Sequence, residues 1–573
     1  MPKTDWYKDL VFYQIWPRSF CDGDGDGIGD LTGVLGKLDY IRSLGVNALW
    51  FSPLYPSPQD DYGYDIADYC AINPEYGTLA QFQEVLEKAH ALGMKVIMDL
   101  VLNHTSNQHA WFLESLHLDS PKADWYIWRR GTDKKPPNNW TSTFPGPGWE
   151  KRERYNADGS VSSDAWYYLH LFAVEQPDLN HDCPALREAL KDVQRFWLDM
   201  GVDGFREDVI TYISKKEGLP NGFPLMPAGR GMEHFSQGPN LRKYLAEYRT
   251  VVDEYDAMTV GEAPGMTPQN ALRYIDQNAP VLDLMFHFQH MTADCIGLAW
   301  VKTRFSLRKL KKVFNAWQQA LRGRAWNTLY LENHDQPRVL SRFGCTDTEE
   351  LRVASGKALA AAYLLQQGTP FIYQGQEIGM TNLPPLALEE YPDVVTHNTY
   401  DLFRSLGFSH KRTMAHAAYA ARDNARSPVQ WSSAPNAGFT TAEKPWFMVN
   451  PNYKTINVAN ALADPNGLPQ WYKQVLALRS VRTLFRDGTY RDLCPRSQTL
   501  YMYTRELPGE QSCLVVISFS KKVTQIQLPK AIAARGVQLV LDSTNNAVDA
   551  TAPPTHERNL TLKPYQVQVY FYQ

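Results

Sequence analysis

Three acids, Asp208, Glu262 and Asp335, each close an apolar, strand-like run and stand before a turn, in Gly-Phe-Arg-Glu-Asp-Val-Ile, Thr-Val-Gly-Glu-Ala-Pro-Gly and Glu-Asn-His-Asp-Gln-Pro-Arg. Neighbouring buried carboxyls are costly unless paired or protonated, so they gather where a shifted pKa is useful. A single Asp at a strand end is most often a turn former or helix cap. Three of them, each flanked by Arg, His or Gly, point to the paired-carboxylate chemistry that splits glycosidic bonds.

Arg206 and Asp208 are two apart on a strand, so they share one face and Glu207 takes the other. This favours Asp208 over Glu207 as the reactive group, and the guanidinium is expected to hold its carboxyl low, as an ionised nucleophile. Glu262 sits in a Gly-Glu-Ala-Pro-Gly turn, where crowding by other acids favours proton storage and suits it to acid and base work. Asp335, beside His334, is placed to bond sugar hydroxyls and favour a developing oxocarbenium charge; an Asx turn before Pro337 is the plainer alternative. A separate loop, Asp22-Gly-Asp24-Gly-Asp26-Gly-Ile28-Gly-Asp30, alternates carboxylates as a hard cation requires. Its twelfth position is Gly33, so it matches only the first half of an EF-hand.

A recurring unit positions these residues: an amphipathic helix, a glycine, then a buried strand. Leu35, Leu38, Ile41 and Leu44 keep helical spacing before Gly45 and Val-Asn-Ala-Leu-Trp-Phe-Ser. Thr78 with Gln81 forms a capping box ahead of an apolar stripe that stops at Gly93, before Met-Lys-Val-Ile-Met-Asp-Leu-Val. Leu186, Leu190, Val193 and Trp197 lead in the same way to Gly201 and Val-Asp-Gly-Phe-Arg. With strand candidates near residues 11, 258, 282, 327 and 370 there are eight, which predicts an α/β fold, a (β/α)8 barrel with its chemistry at the C-terminal strand ends. No Gly-x-Gly-x-x-Gly follows the first strand to suggest a dinucleotide fold.

The expected organisation is a barrel over 1–104 and 179–488, a lid subdomain over 105–178 after the third strand, and a C-terminal antiparallel β-sandwich over 489–573. The segment 105–178 is aperiodic and rich in Trp, Pro and Asn, and a second irregular insertion spans about 376–455. A net charge of −4 gives no basic face for nucleic acid or anionic membranes, so a small neutral partner fits better. Seven scattered cysteines without Cys-x-x-Cys spacing argue against a disulfide framework or thiolate zinc site. No apolar run approaches the roughly 20 residues of a spanning helix, and Met-Pro-Lys-Thr-Asp-Trp-Tyr-Lys does not read as a leader, so the chain is expected to be cytoplasmic. The Asn-x-Thr matches at Asn139 and Asn559 are read as chance.

Nearly the whole chain resembles the α-amylase superfamily of glycoside hydrolases (family 13), in its oligo-1,6-glucosidase and α-glucosidase branch. The resemblance rests on Asp99-Leu-Val-Leu-Asn103-His104, Gly204 to Asp208, the Glu262 block, Asn333-His334-Asp335 and Gln176-Pro-Asp-Leu-Asn180, in this order. It implies Asp208 as nucleophile, Glu262 as acid/base and Asp335 as transition-state stabiliser. It also implies Asp61, Tyr64, His104, Arg206, His334 and Arg426 as contacts to the non-reducing glucose, with Phe144, Phe172 and Gln176 on the lid side. Val209, after the nucleophile, accompanies α-1,6 activity among relatives, a selectivity of about 1–3 kcal/mol at most. Relatives bind Ca2+ or Mg2+ through Asp22, Asp24, Asp26, Asp30 and the Ile28 carbonyl, with no organic cofactor. Glu207 and Glu332 depart from the family pattern, which has an apolar residue and Asn there.

These readings imply a retaining exo-α-glucosidase of short α-1,6-linked oligosaccharides, monomeric or dimeric. The same scaffold serves sucrose isomerases, transglucosylases, α-1,4-glucosidases and trehalose-6-phosphate hydrolases. The stretch after Arg338 lacks the basic cluster of such isomerases. A catalytically silent binding homologue would have lost the three acids that this chain retains.

Overall fold

The computed structural model describes residues 5–296, 301–545, 548–549 and 552–573. Residues 1–4, which begin the segment read above as not a leader, lie outside the described residues. Eight parallel strands form the central sheet: β1 (Phe12–Ile15), β2 (Ala48–Phe51), β3 (Lys95–Val101), β4 (Gly204–Asp208), β5 (Met258–Glu262), β6 (Leu284–Phe286), β7 (Thr328–Leu329) and β8 (Thr369–Tyr373). Their order, β7-β8-β1-β2-β3-β4-β5-β6, is that of a barrel, with Phe12 beside Phe371 where the first strand meets the last. Between β6 and β7 no ladder forms among the described residues; instead Thr328 Oγ1 donates to Met285 O (2.9 Å).

The helix–glycine–strand units form as their spacing requires. Thr78 and Gln81 complete the capping box of helix Leu79–Ala91, and Phe82, Val85, Leu86 and Ala89 are its buried face. Helix Pro184–Asp199 buries Leu186, Leu190, Val193 and Trp197, each such burial contributing about 1.5–3 kcal/mol. Gly45, Gly93 and Gly201 end these helices with φ of +93°, +71° and +106°. The first helix differs from expectation: it is two pieces, Leu31–Leu35 and Leu38–Ser43, separated at Gly36. The barrel interior is packed with aromatic rings, Phe12 stacked on Phe371 at 4.6 Å and Trp50 on Phe286 at 5.4 Å.

Between β3 and β4 the chain forms a three-stranded antiparallel sheet, Trp128–Arg130, Trp166–Leu169 and Trp149–Lys151 in that order. The insertion near 376–455, read as irregular, holds a helical hairpin, Val394–Ser405 and His410–Ala420. Its buried residues are few and mixed, Thr396 and Phe403 on one helix and Thr413, Ala417 and Tyr419 on the other, which gives no continuous apolar stripe in the sequence. The last 85 residues carry a five-stranded antiparallel sheet, Thr489–Asp492, Leu500–Glu506, Ser512–Ser518, Val567–Tyr572 and Val537–Asp542, beside a two-stranded one. No helix among the described residues is long and apolar enough to cross a membrane.

Candidate active site

Alternation on β4 sends Arg206 and Asp208 to the barrel mouth and Glu207 to the helix side. Arg206 is buried and bonds three acids at once: Nη1 reaches Asp99 Oδ1 (2.6 Å) and Asp208 Oδ1 (2.6 Å), and Nη2 reaches Glu262 Oε2 (2.5 Å). Asp208 and Glu262 therefore lie side by side on one planar group. Glu262 is fixed further by the backbone N–H of Val209 (3.1 Å). To present that N–H, Val209 adopts left-handed geometry, φ +34° and ψ +37°, a strained state for a β-branched residue. Gly261 allows the close approach behind Glu262, since a Cβ there would meet Leu282 Cδ1 at 2.7 Å and Ile210 Cγ2 at 2.8 Å.

The electrostatics differ in part from the sequence expectation. Burial pushes the Asp208 carboxyl well above its ordinary range; Arg206 pulls it down, while Glu262 and Asp99 push it up again. The guanidinium is thus shared among three acids and does not outweigh desolvation, so Asp208 is not held low as its spacing from Arg206 suggested. Asp335 behaves oppositely. Burial opposes its ionisation, yet His334, Arg422 and Arg426 together hold it well below the usual carboxylate range.

Asp61, Tyr64, His104, Phe144, Phe172 and Val209 line one cavity of about 620 Å3 together with the three acids. Gln176, Arg206, His334 and Arg426 stand behind that surface and orient it. Gln176 Nε2 donates to Asp61 Oδ2 (3.0 Å) and approaches His104 Nε2 (3.2 Å). His334 Nε2 lies 2.7 Å from Tyr64 Oη and 3.1 Å from Asp335 Oδ2, and Arg426 Nη2 donates to Asp335 Oδ1 (2.9 Å). Burial holds His104 down to about 3, so its ring is neutral.

Two residues of this network are absent from the candidates drawn from sequence. Asp99 accepts from Arg206 and from Tyr64 Oη (3.0 Å), which ties β3 to β4. Arg422 joins Asp61 (2.9 Å), Asp335 (3.2 Å) and Asp393 (2.7 Å). Its spacing of four from Arg426 was the available signal; its partners lie 29 to 361 residues away and gave none.

At the loop after β1, oxygens of Asp22, Asp24 and Asp30 lie within 4.8 Å of one another, a donor set suited to a hard cation. Asp26 does not join them; its Oδ1 accepts from Ile28 N (2.7 Å). Asp30 caps helix Leu31–Leu35 through Gly33 N (2.6 Å) and also accepts from Gly23 N and Asp24 N.

A parallel eight-stranded barrel that gathers three acids and a shared arginine at one mouth defines a sugar-cleaving hydrolase. The family model described as the alpha amylase catalytic domain matches residues 14–488, and the chain belongs to that family of glycoside hydrolases. It is 45% identical to an oligo-1,6-glucosidase of Parageobacillus thermoglucosidasius, over 99% of this chain and 98% of the relative. It is 43% identical to a trehalose-6-phosphate hydrolase of Escherichia coli, over 98% of each. The solved structure of the trehalulose synthase MutB from Pseudomonas mesoacidophila superposes with a TM-score of 0.91 at 38% identity, over 100% of both chains.

Proposed function

We propose that this protein is a retaining exo-acting α-glucosidase of short α-1,6-linked gluco-oligosaccharides. One observation carries the reading: a single guanidinium, Arg206, holds Asp208 and Glu262 together, with Asp335 lining the same cavity. Two carboxyls held on one guanidinium favour the short spacing of about 5–5.5 Å found in retaining enzymes over the roughly 6.5–9.5 Å of inverting ones. Glu262 delivers a proton to the leaving oxygen as the Asp208 carboxylate attacks the anomeric carbon, and Glu262 then deprotonates the water that frees α-glucose. Asp335, kept ionised by its three basic neighbours, bonds the sugar hydroxyls and favours the oxocarbenium charge. Asp61, His104 and Arg422 bind the non-reducing glucose, and Arg426 orients Asp335 from behind.

Val209 on the cavity wall and the full-length likeness to oligo-1,6-glucosidases support α-1,6 preference. A phosphorylated sugar fits poorly, because the only cation lining the cavity among the described residues is Arg422, already paired with three carboxylates. Asp22, Asp24 and Asp30 would hold Ca2+ or Mg2+ and stiffen their loop. The division into barrel, lid (105–178) and C-terminal unit (489–573) belongs to the same proposal.

NMR of product anomers from isomaltose, panose, maltose, sucrose and trehalose tests the assignment. Isomaltose and panose should release α-glucose first, and Asp208→Asn should cut turnover of an aryl α-glucoside on the order of 10^4-fold. β-Glucose as first product, or an unaffected variant, would sink the mechanism; preference for sucrose with isomerised product would move the chain to the isomerase branch.

A further inference from the structure

The net charge of −4 hides an uneven distribution: from Cys295 to Leu331, 37 residues in succession carry eight Lys and Arg and no Asp or Glu. At the centre of that stretch lies helix Leu307–Leu321, with Arg308 and Lys309 in its first turn and no acid there. Cations at a helix N-terminus oppose its dipole, and Arg308 and Lys312, one turn apart, repel each other. Lys311 turns inward and donates to the carbonyls of Cys494 and Leu500. Its neighbours on the helix have no such partners, and an anion would relieve their repulsion.

Arg308, Lys309 and Lys312 line a cavity of about 760 Å3 together with Arg491 and Arg496 of the C-terminal segment, and it shares no lining residue with the catalytic cavity. All five side chains are exposed, and none has an ion pair among the described residues. The acid on the wall, Asp492, accepts instead from Asn315 Nδ2 (3.2 Å) and Cys494 N (2.8 Å). Hydrogen bonds between the two walls fix their spacing in advance: Gln498 Oε1 accepts from Arg308 N (3.3 Å), and Tyr490 Oη donates to Asn315 Oδ1 (2.7 Å). The apolar lining is Ala316 and Pro495, so a nucleobase would find no ring to stack on. Five cations converging on one concavity suit a small, highly charged anion better than a polymer, which needs a basic stripe along a face.

We propose that this second cavity binds a small oligophosphate, an anion carrying two or three phosphate groups, either inorganic or borne on a sugar. Its volume falls in the range of about 300–1,000 Å3 usual for small-ligand sites. The phosphates bridge Arg308, Lys309 and Lys312 on the barrel helix to Arg491 and Arg496 on the other wall, so binding clamps the C-terminal segment to the barrel. The site is independent of the glucosidase reading.

The experiment is calorimetric titration of the full chain with inorganic triphosphate, a sugar bisphosphate and sulfate at low ionic strength. The enzyme is first treated with chelator, so that capture of a loop cation by phosphate adds no heat. Triphosphate or the bisphosphate should saturate one site per chain, the tighter of the two identifying the source, with sulfate markedly weaker and added salt weakening all three. Arg308→Gln and Arg491→Gln, one on each wall and both exposed, should each weaken binding up to about fivefold, and together by the product of the two. Arg322→Gln removes the same charge from the far end of the helix, outside the cavity, and should bind as the wild type does. No saturable binding of either phosphate, or an Arg322→Gln loss equal to that of Arg308→Gln, would overturn the site.

Discussion

At the scale of single residues, the two departures from the family pattern have a physical consequence. Glu207, on the helix side of β4, is buried, and its Oε2 has no hydrogen-bond partner among the described residues. Burial pushes its carboxyl up to about 8; Arg249 pulls it down and Asp283 pushes it up. Glu332, 3.6 Å from Arg338, is pushed up by burial to about 7. For Glu207 the folded pKa exceeds the ordinary value of 4.5, so between about 4.5 and 8 the folded chain binds the extra proton. Stability is therefore lost as pH rises through that window and levels off above it. Glu207→Gln, which never ionises, should match the wild type near pH 5 and exceed it by a few kcal/mol above pH 8. Thermal unfolding across pH checks this, and parallel profiles would contradict it.

Among the elements, the strand-end acids and the helix–glycine–strand rhythm were legible because both are local: period 2 placed Arg206 and Asp208 together, and period 3.6 marked the helix bearing Trp197. Less legible were features set by distant partners. The hairpin over 394–420 buries only a few scattered residues, Thr396, Phe403, Thr413, Ala417 and Tyr419, and Arg422 acquires its role from Asp61, Asp335 and Asp393. The acidic loop was readable in composition, and of its acids Asp22, Asp24 and Asp30 lie together while Asp26 accepts from Ile28 N. That loop is tied to the end of the large insertion: Asp22 accepts from Thr440 Oγ1, and Asp22 N donates to Phe439 O (3.0 Å). Calcium added to chelator-treated enzyme should raise the melting temperature, equivalent to ~2.7 kcal/mol at a hundredfold excess over Kd. Asp24→Ala should abolish the rise. An unchanged transition in the wild type would remove the cation from this loop.

Over the whole molecule, the C-terminal unit is joined to the barrel through its core. Tyr503 Oη donates to Ala361 O (2.9 Å), Arg505 Nη1 to Leu365 O (2.8 Å), and Lys357 Nζ to Ser543 O (2.7 Å). Tyr501, Tyr503, Val515 and Ile517 share one apolar cluster with Ala358 to Leu365. Removing residues 489–573 would expose that face of helix Glu349–Leu364 and leave Lys357 without its carbonyl. The truncated barrel should aggregate on expression, and a soluble, active fragment would show that the two parts fold independently. The sequence foretold the antiparallel strands, but not this shared core, because buried Arg505 and Lys357 read as surface charges.

The pairing of Phe12 with Phe371 also sets an order of events during synthesis. β1 leaves the ribosome early and finds β2 at once, but its other neighbour arrives more than 350 residues later, roughly 20 to 70 seconds at ordinary translation speeds. Until then the nascent sheet carries an open flank of unpaired amides, a template on which other chains can pair before the circle closes.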